Sequence, residues 1–243
     1  MDLHNRSALV TGAAVRVGRA IALGLARGGA RVVIHYHGSG EEAEALARQI
    51  REEGGEAATL QADLSRHDEV LGLAEQAEGP FGPLDILVNN ASIFPEQPLA
   101  EVDESLWNRT LAINLKAPFF LTQRLGGRMK QRGGGVIVNL GDLAGIQSWS
   151  GYAAHSVSKA GLLHLTRIAA RALGPEVRVN AIAPGTVLPP ENLSEEEVRT
   201  LAQRTPLKRI GSPDDVVGAV LYLIGADFVT GETIVLDGGR LLM

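Results

Sequence analysis

Apolar residues recur along this chain in two alternating rhythms. Short unbroken apolar runs are followed by longer stretches in which apolar positions return every three or four residues. The first rhythm marks buried strands and the second marks helices with one apolar face. Strands are predicted at 8–10, 31–35, 57–60, 85–88, 136–139, 177–182 and 233–236. The helical rhythm opens with Val17, Ile21 and Leu25 and returns over 41–53, 66–78, 103–130, 152–173 and 213–224. In the fifth of these, Leu162, Leu165, Ile168, Ala169 and Leu173 mark the core face. Strand-then-helix repetition predicts one α/β domain over residues 1–243. Its expected form is a doubly wound parallel sheet of about seven strands with helices on both faces. The polar segment 186–206 interrupts the rhythm with prolines at 189 and 190 and the acidic run Glu195-Glu-Glu197. It is expected to be a lid carrying a short helix over a substrate, not a domain boundary.

Composition narrows the function. Hydrophobic residues at 45% supply one sizeable core, and aromatics at only 4% suit helices packed closely on a sheet. A net charge of −5 argues against bulk nucleic-acid binding, which wants a basic face. The absence of cysteine excludes disulfides, thiolate nucleophiles and zinc–cysteine sites, and no metal site is expected. The first residues lack an apolar signal core and no apolar run reaches membrane-spanning length, so a cytoplasmic protein is expected.

The candidate chemistry sits at the C-terminal ends of the predicted strands, where open α/β sheets bind ligands. Gly12 and Gly18 bracket Arg16 and Val17 in the first strand–helix turn. Glycines there let a pyrophosphate approach the backbone at a helix N-terminus, although glycine also suits an ordinary turn. The second strand ends in Tyr36-His37-Gly38-Ser39 without the Asp or Glu that holds adenosine ribose hydroxyls in NAD sites. That absence favours NADP(H) over NAD(H), with Ser39 open to two roles: a 2′-phosphate contact, or a helix cap paired with Glu42. Asp63 and Leu64 follow the third strand, where Asp63 could meet the adenine amino group or simply form a turn. Asn90, Ala91, Ser92 and Phe94 follow the fourth, a turn suited to backbone approach to a ribose or nicotinamide. Asn114 is a poor helix former in mid-helix and must find partners. Pro118, four residues on, should kink the helix or free a carbonyl. The two together could hold an ordered water, or Asn114 could be a satisfied core amide. Asp142, His155 and Lys159 can converge at the end of the fifth strand, residues 155 and 159 lying one helical turn apart. Pro184 and Gly185 end the sixth strand.

Thr11-Gly12 with Gly18, Asp63-Leu64, Asn89-Asn-Ala91, Asn114, Lys159, Pro184-Gly185 and Asp237-Gly-Gly239, in that order over nearly the whole chain, resemble the short-chain dehydrogenase/reductase family. The resemblance implies a Rossmann fold, a nicotinamide cofactor that contacts Lys159, a small-molecule substrate and a homotetramer with the last helix and strand at an interface. Three details resemble the pteridine reductase branch: Arg16 in the glycine turn, His35-Tyr-His37 followed by Ser39, and Ser92-x-Phe94 together with Asp142 where the wider family has serine. That likeness implies that Arg16 approaches both cofactor phosphate and substrate, that Phe94 stacks on a pterin ring, and that Asp142 belongs to the proton-donating group. Phe94 reads equally as loop packing. Tyr152, two turns before Lys159, is expected to line the substrate pocket with Ser92.

Two positions depart from that branch. Gly38 stands where a basic residue faces the 2′-phosphate, and His155 stands where the family has its proton-donating tyrosine. A tyrosine starts near a pKa of ~10 and a histidine near ~6.5, so the exchange alters the acid. Three outcomes follow. The first is an NADPH-dependent reductase of a pterin-like cyclic imine or carbonyl, with the proton supplied through Asp142, His155 and a water. The second is a 3-ketoacyl or other carbonyl reductase. The third is an NADP-binding scaffold whose catalysis is lost.

Overall fold

The computed structural model describes residues 1–189 and 194–243. Seven strands form one sheet in the order β3-β2-β1-β4-β5-β6-β7. They are β1 (Ser7–Val10), β2 (Arg31–Tyr36), β3 (Glu56–Gln61), β4 (Ile86–Asn89), β5 (Gly135–Leu140), β6 (Val177–Pro184) and β7 (Thr233–Leu236). Every pairing is parallel. The unbroken apolar strands follow from this, because helices cover both faces and leave the central strands no polar side.

One face packs against α1 (Arg16–Arg27), α2 (Gly40–Glu52) and α9 (Pro213–Gly225). Ile21, Leu25, Leu46, Ile50, Val220 and Leu223 fill that layer. The other face packs against α3 (His67–Gln76), a helical run over 104–131, and α7 (Ala153–Leu173), through Leu73, Leu121, Leu125 and Ala169. The chain reverses direction across the sheet between β1 and β4, and the crevice that opens there is the expected ligand position.

The run predicted as one helix over 103–130 is continuous but not uniform. It comprises α4 (Glu104–Leu111), α5 (Ala117–Leu121) and α6 (Gly127–Gln131), joined by wider π turns at Ala112–Lys116 and Thr122–Gly126. The first π turn holds Asn114 and precedes Pro118, which has no N–H to return to the previous turn. The proline is thus absorbed by a wider turn.

In the segment expected as a lid, α8 (Glu195–Gln203) is capped reciprocally by Ser194 and Glu197 and buries no residue. Downstream, Thr205 is buried, and Leu207 N–H donates to Gly238 O at 3.2 Å, fastening that end of the segment to the turn after β7. Pro190 and the rest of 190–193 lie outside the described residues. No described helix is long and apolar enough to cross a membrane.

Candidate active site

The glycine turn after β1 is held by backbone and side-chain bonds that bring three strand ends together. Thr11 Oγ1 accepts the N–H groups of Asn90 and Ala91 at 2.9 and 3.0 Å. Asn90 Nδ2 donates in return to the carbonyls of Thr11 and Gly12 at 2.9 and 3.0 Å. The Asn90 side-chain amide therefore spends its hydrogens on the glycine turn, and the residue borders the crevice. A Cβ on Gly18 would lie 2.2 Å from Gly12 O and 2.5 Å from Asn90 Nδ2, so only glycine fits. Arg16 takes the left-handed backbone (φ 53°) in a turn whose glycines are Gly12 and Gly18, at a cost of about 1 kcal/mol.

His35, which sequence reasoning used only as part of a motif, proves structural. Gly12 N–H donates to its Nδ1 at 3.0 Å, so Nε2 carries the hydrogen and donates to Ala62 O at 3.1 Å. Burial lowers its pKa to about 4, opposed by the Ala62 carbonyl.

A cavity of about 490 Å³ runs from this turn to the ends of β2 and β3. Gly12, Arg16, Val17, Gly18, His37, Asp63, Leu64, Asn90 and Ala91 border it, as does Arg109 from α4, which sequence reasoning missed. Arg109 was legible only as one more polar position on a helix; the fold alone turns it toward β3. His37 Nε2 lies 3.9 Å from Asp63 Oδ2. The Asp63 carboxylate is held below its usual range: burial opposes the shift, while the Ser65 N–H, His37 and Arg109 favour the charged form. One expected cofactor residue, Tyr36, falls elsewhere. The Tyr36 ring points to the opposite side of the strand from His35 and His37, into a shallow hollow with Gly40, Glu41 and Arg48. Side chains alternate along a strand, so Tyr36 cannot share their face. Ser39 is the N-cap of α2, yet its hydroxyl makes no capping bond, so the Ser39–Glu42 box does not form.

A second cavity of about 350 Å³ adjoins the first through Arg16, Val17, Asn90 and Ser92. Asp142, His155, Lys159, Pro184 and Gly185 border it together with Phe94. Asp142 leaves β5 as the cap of a short turn, its Oδ1 accepting Ala144 N–H at 2.7 Å. His155 and Lys159 project from the first turns of α7. His155 Nε2 stands 3.7 Å from Asp142 Oδ2. Lys159 is buried and donates to Leu140 O at 2.7 Å. Burial lowers its pKa to about 8, opposed by Asp142.

Asn114 finds the partners its burial demands. Its Oδ1 accepts Ile93 N–H at 2.9 Å and the Ser92 hydroxyl at 3.2 Å. Its Nδ2 donates to Ile93 O and to Ser158 Oγ, both at 3.0 Å. One amide thus ties the loop after β4 to α7.

The aromatic wall differs from expectation. Tyr152 stacks on Phe94 at 4.3 Å but does not itself border the cavity, and its phenol lies beside Glu96; burial, then that carboxylate, push its pKa up. Trp149 takes its place at the cavity border, meeting Phe94 edge-on at 6.3 Å. The loop geometry of 143–152 decides this, and no spacing rule could have found it. Across the opening, Arg16 donates to Leu188 O at 2.9 Å.

A family model described as enoyl-(acyl carrier protein) reductase matches residues 12–240. The chain is 37% identical over 240 residues to the 3-oxoacyl-[acyl-carrier-protein] reductase FabG of Staphylococcus epidermidis, covering 97% of this chain and 98% of the relative. It is 38% identical over 250 residues to the L-rhamnose 1-dehydrogenase (NAD(P)(+)) of Azotobacter vinelandii, covering 98% of each. Among solved structures it superposes with a TM-score of 0.94 on FolM alternative dihydrofolate reductase 1 from Brucella canis complexed with NADP. That pair is 38% identical over 100% of this chain and 96% of the other.

Proposed function

The chain belongs to the short-chain dehydrogenase/reductase family, and we propose that within it the protein is an NADPH-dependent reductase of a pterin or dihydropteridine-type substrate. Membership makes it an NAD(P)-dependent oxidoreductase with a Rossmann-type fold. Sequence identity does not choose a substrate, because relatives named for acyl, sugar and folate substrates stand at nearly equal distance. The side chains around the second cavity carry the choice. Phe94 and Trp149 offer flat apolar walls for a heterocycle, and Asp142 supplies a carboxylate where a carbonyl reductase would use a serine.

The first cavity fits a dinucleotide: Gly18 clears the backbone for a pyrophosphate at the N-terminus of α1, and Asp63 and Leu64 border the adenosine end. For the 2′-phosphate of NADP(H), support comes from the lack of an acid at 35–40, the uncommitted Ser39 hydroxyl, and His37 and Arg109 nearby. Related structures hold NADP or NADPH. When bound, the cofactor supplies hydride. Lys159 would hold its ribose, Arg16 would reach phosphate and substrate, and the Asp142–His155 pair would hold the proton for a ring nitrogen. Protonating nitrogen asks less of an acid than stabilising an alkoxide, so a histidine suffices where a ketone would want the tyrosine.

Apolar residues exposed beside α5 and α7, including Phe119 and Ile168, and others near the last helix, including Tyr222 and Phe228, support burial against further copies in a homotetramer.

The test is NADPH oxidation with a dihydropterin or dihydrofolate beside an acetoacetyl thioester, over about pH 5–8. Turnover of the pteridine, raised further by His155→Tyr, supports the reading. Turnover of the thioester alone would replace it with the carbonyl reductase. Turnover of neither, with NADPH still bound, would leave a cofactor-binding scaffold.

A further inference from the structure

The last turn of the chain brings a cation to the substrate cavity. After β7 the backbone passes through Gly238 and Gly239, both left-handed at φ 64° and 86°. The Asp237 carboxylate fixes this turn, Oδ1 accepting Gly239 N–H and Oδ2 accepting Leu241 N–H, both at 2.8 Å. Arg240 therefore leaves the chain between two anchored amides. Its guanidinium carbon stands 5.2 Å from the centre of the Trp149 ring, and its Nη1 donates to Thr186 Oγ1 at 3.4 Å. Trp149 and Thr186 both border the second cavity.

What Arg240 lacks is an anion. Among the described residues no carboxylate pairs with it. Asp237 has spent both oxygens on backbone N–H groups. Asp215 is taken by Arg209, and Glu96 lies beside the Tyr152 phenol. The long bond to Thr186 occupies one of five N–H donors on a half-buried guanidinium. The remaining donors form the fork that suits a carboxylate.

Its place along the aromatic wall says which part of a substrate it meets. His155 meets Phe94 at 4.5 Å, Phe94 meets Trp149 at 6.3 Å, and Trp149 meets Arg240 at 5.2 Å. Asp142 and His155 stand at one end of this succession and Arg240 at the other. A flat ring lying along the wall with its reacting edge at His155 carries its substituent toward Arg240. The cavity's other cations are engaged, Lys159 by Leu140 O and Arg16 by Leu188 O.

We propose that Arg240 is a specificity-determining residue that pairs with a carboxylate on the substituent of the heterocycle, so that the preferred substrate is a pteridine with an acidic side chain. The inference rests on the pteridine reading of the same cavity and names which pteridines it takes. Arg240 meets the tail and not the reacting atoms, so the pair is equally strong in the ground and transition states and acts on binding.

Binding to the NADP⁺-loaded protein tests this apart from turnover. Calorimetry compares folate, whose glutamyl tail is acidic, with pterin, which ends at the ring. Folate should bind more tightly. Arg240→Gln should remove about tenfold to 100-fold of the folate affinity and change pterin affinity by less than about twofold. Arg240→Lys, which keeps the charge and loses the fork, should recover part of the loss. Added salt should weaken folate binding more in the parent than in Arg240→Gln. Equal losses for both ligands would make Arg240 a prop for Trp149, and no loss for either would leave it idle; each overturns the inference. Failure of the parent to bind either ligand overturns it too. Turnover scores the reductase separately: with dihydrofolate, Arg240→Gln should raise KM and leave kcat within about twofold. Selective binding without turnover upholds the tail contact and removes the reductase. Turnover of dihydropterin and dihydrofolate with unselective binding does the reverse.

Discussion

Replacing Asn114 by alanine removes the amide that joins the loop after β4 to α7. Three of its bonds are well formed, at 2.9, 3.0 and 3.0 Å, and a fourth to Ser92 is longer at 3.2 Å. A neutral hydrogen bond contributes about 1 kcal/mol net, so losing the three good ones costs about 3 kcal/mol. Water entering the vacated space would recover part of this, because Ile93 is only partly buried, which sets a lower bound of about 2 kcal/mol. For a chain of this size each kcal/mol moves the midpoint by roughly 2–4 °C, so the Asn114→Ala melting temperature should fall by about 4–12 °C. Circular dichroism or calorimetry at one protein concentration reads the change. The same deletion frees Ile93 O, so Nδ1 of His155 loses the orientation of its acceptor and catalysis should fall along with stability. A shift below about 2 °C would mean that these distances do not represent bonds that matter.

Two further predictions probe the nucleotide end. Gly18→Ala places a methyl 2.2 Å from Gly12 O and 2.5 Å from Asn90 Nδ2, against a turn fixed from three sides. Overpacking of about 3 kcal/mol in the turn corresponds to roughly a 100-fold loss of NADPH affinity, and a fluorescence titration at wild-type affinity would refute the cradle. His35 titrates at about 4 in the folded chain and near ~6.5 unfolded, so the unfolded state binds more protons between those values. Its stabilisation is complete above pH ~6.5 and is lost as pH falls toward 4, by up to about 3 kcal/mol. Urea midpoints at about pH 7 and pH 4.5 should therefore converge in His35→Gln relative to the parent; an unchanged acid slope would count against a buried neutral ring.

The alternation of strand and helix, and with it the doubly wound sheet, is legible in the sequence because burial on both faces leaves unbroken apolar runs that local periodicity reports directly. The strand ends are legible for the same reason, and so is the neighbourhood of Gly12, Gly18, Asp63, Asp142, His155 and Lys159, since the topology sends every such end to one edge. Side-chain direction is another matter. Tyr36 and His37 are adjacent in sequence, yet strand alternation turns them to opposite faces. Tyr152 and Trp149 exchange roles because an irregular loop decides which ring meets the cavity. Arg109 joins the cofactor cavity only through the packing of α4 beside the end of β3. The sequence could say that a histidine replaces a tyrosine and that the acid must differ. How that histidine's ring is oriented rests on Ile93 O, 62 positions away, which only the folded chain brings to its Nδ1.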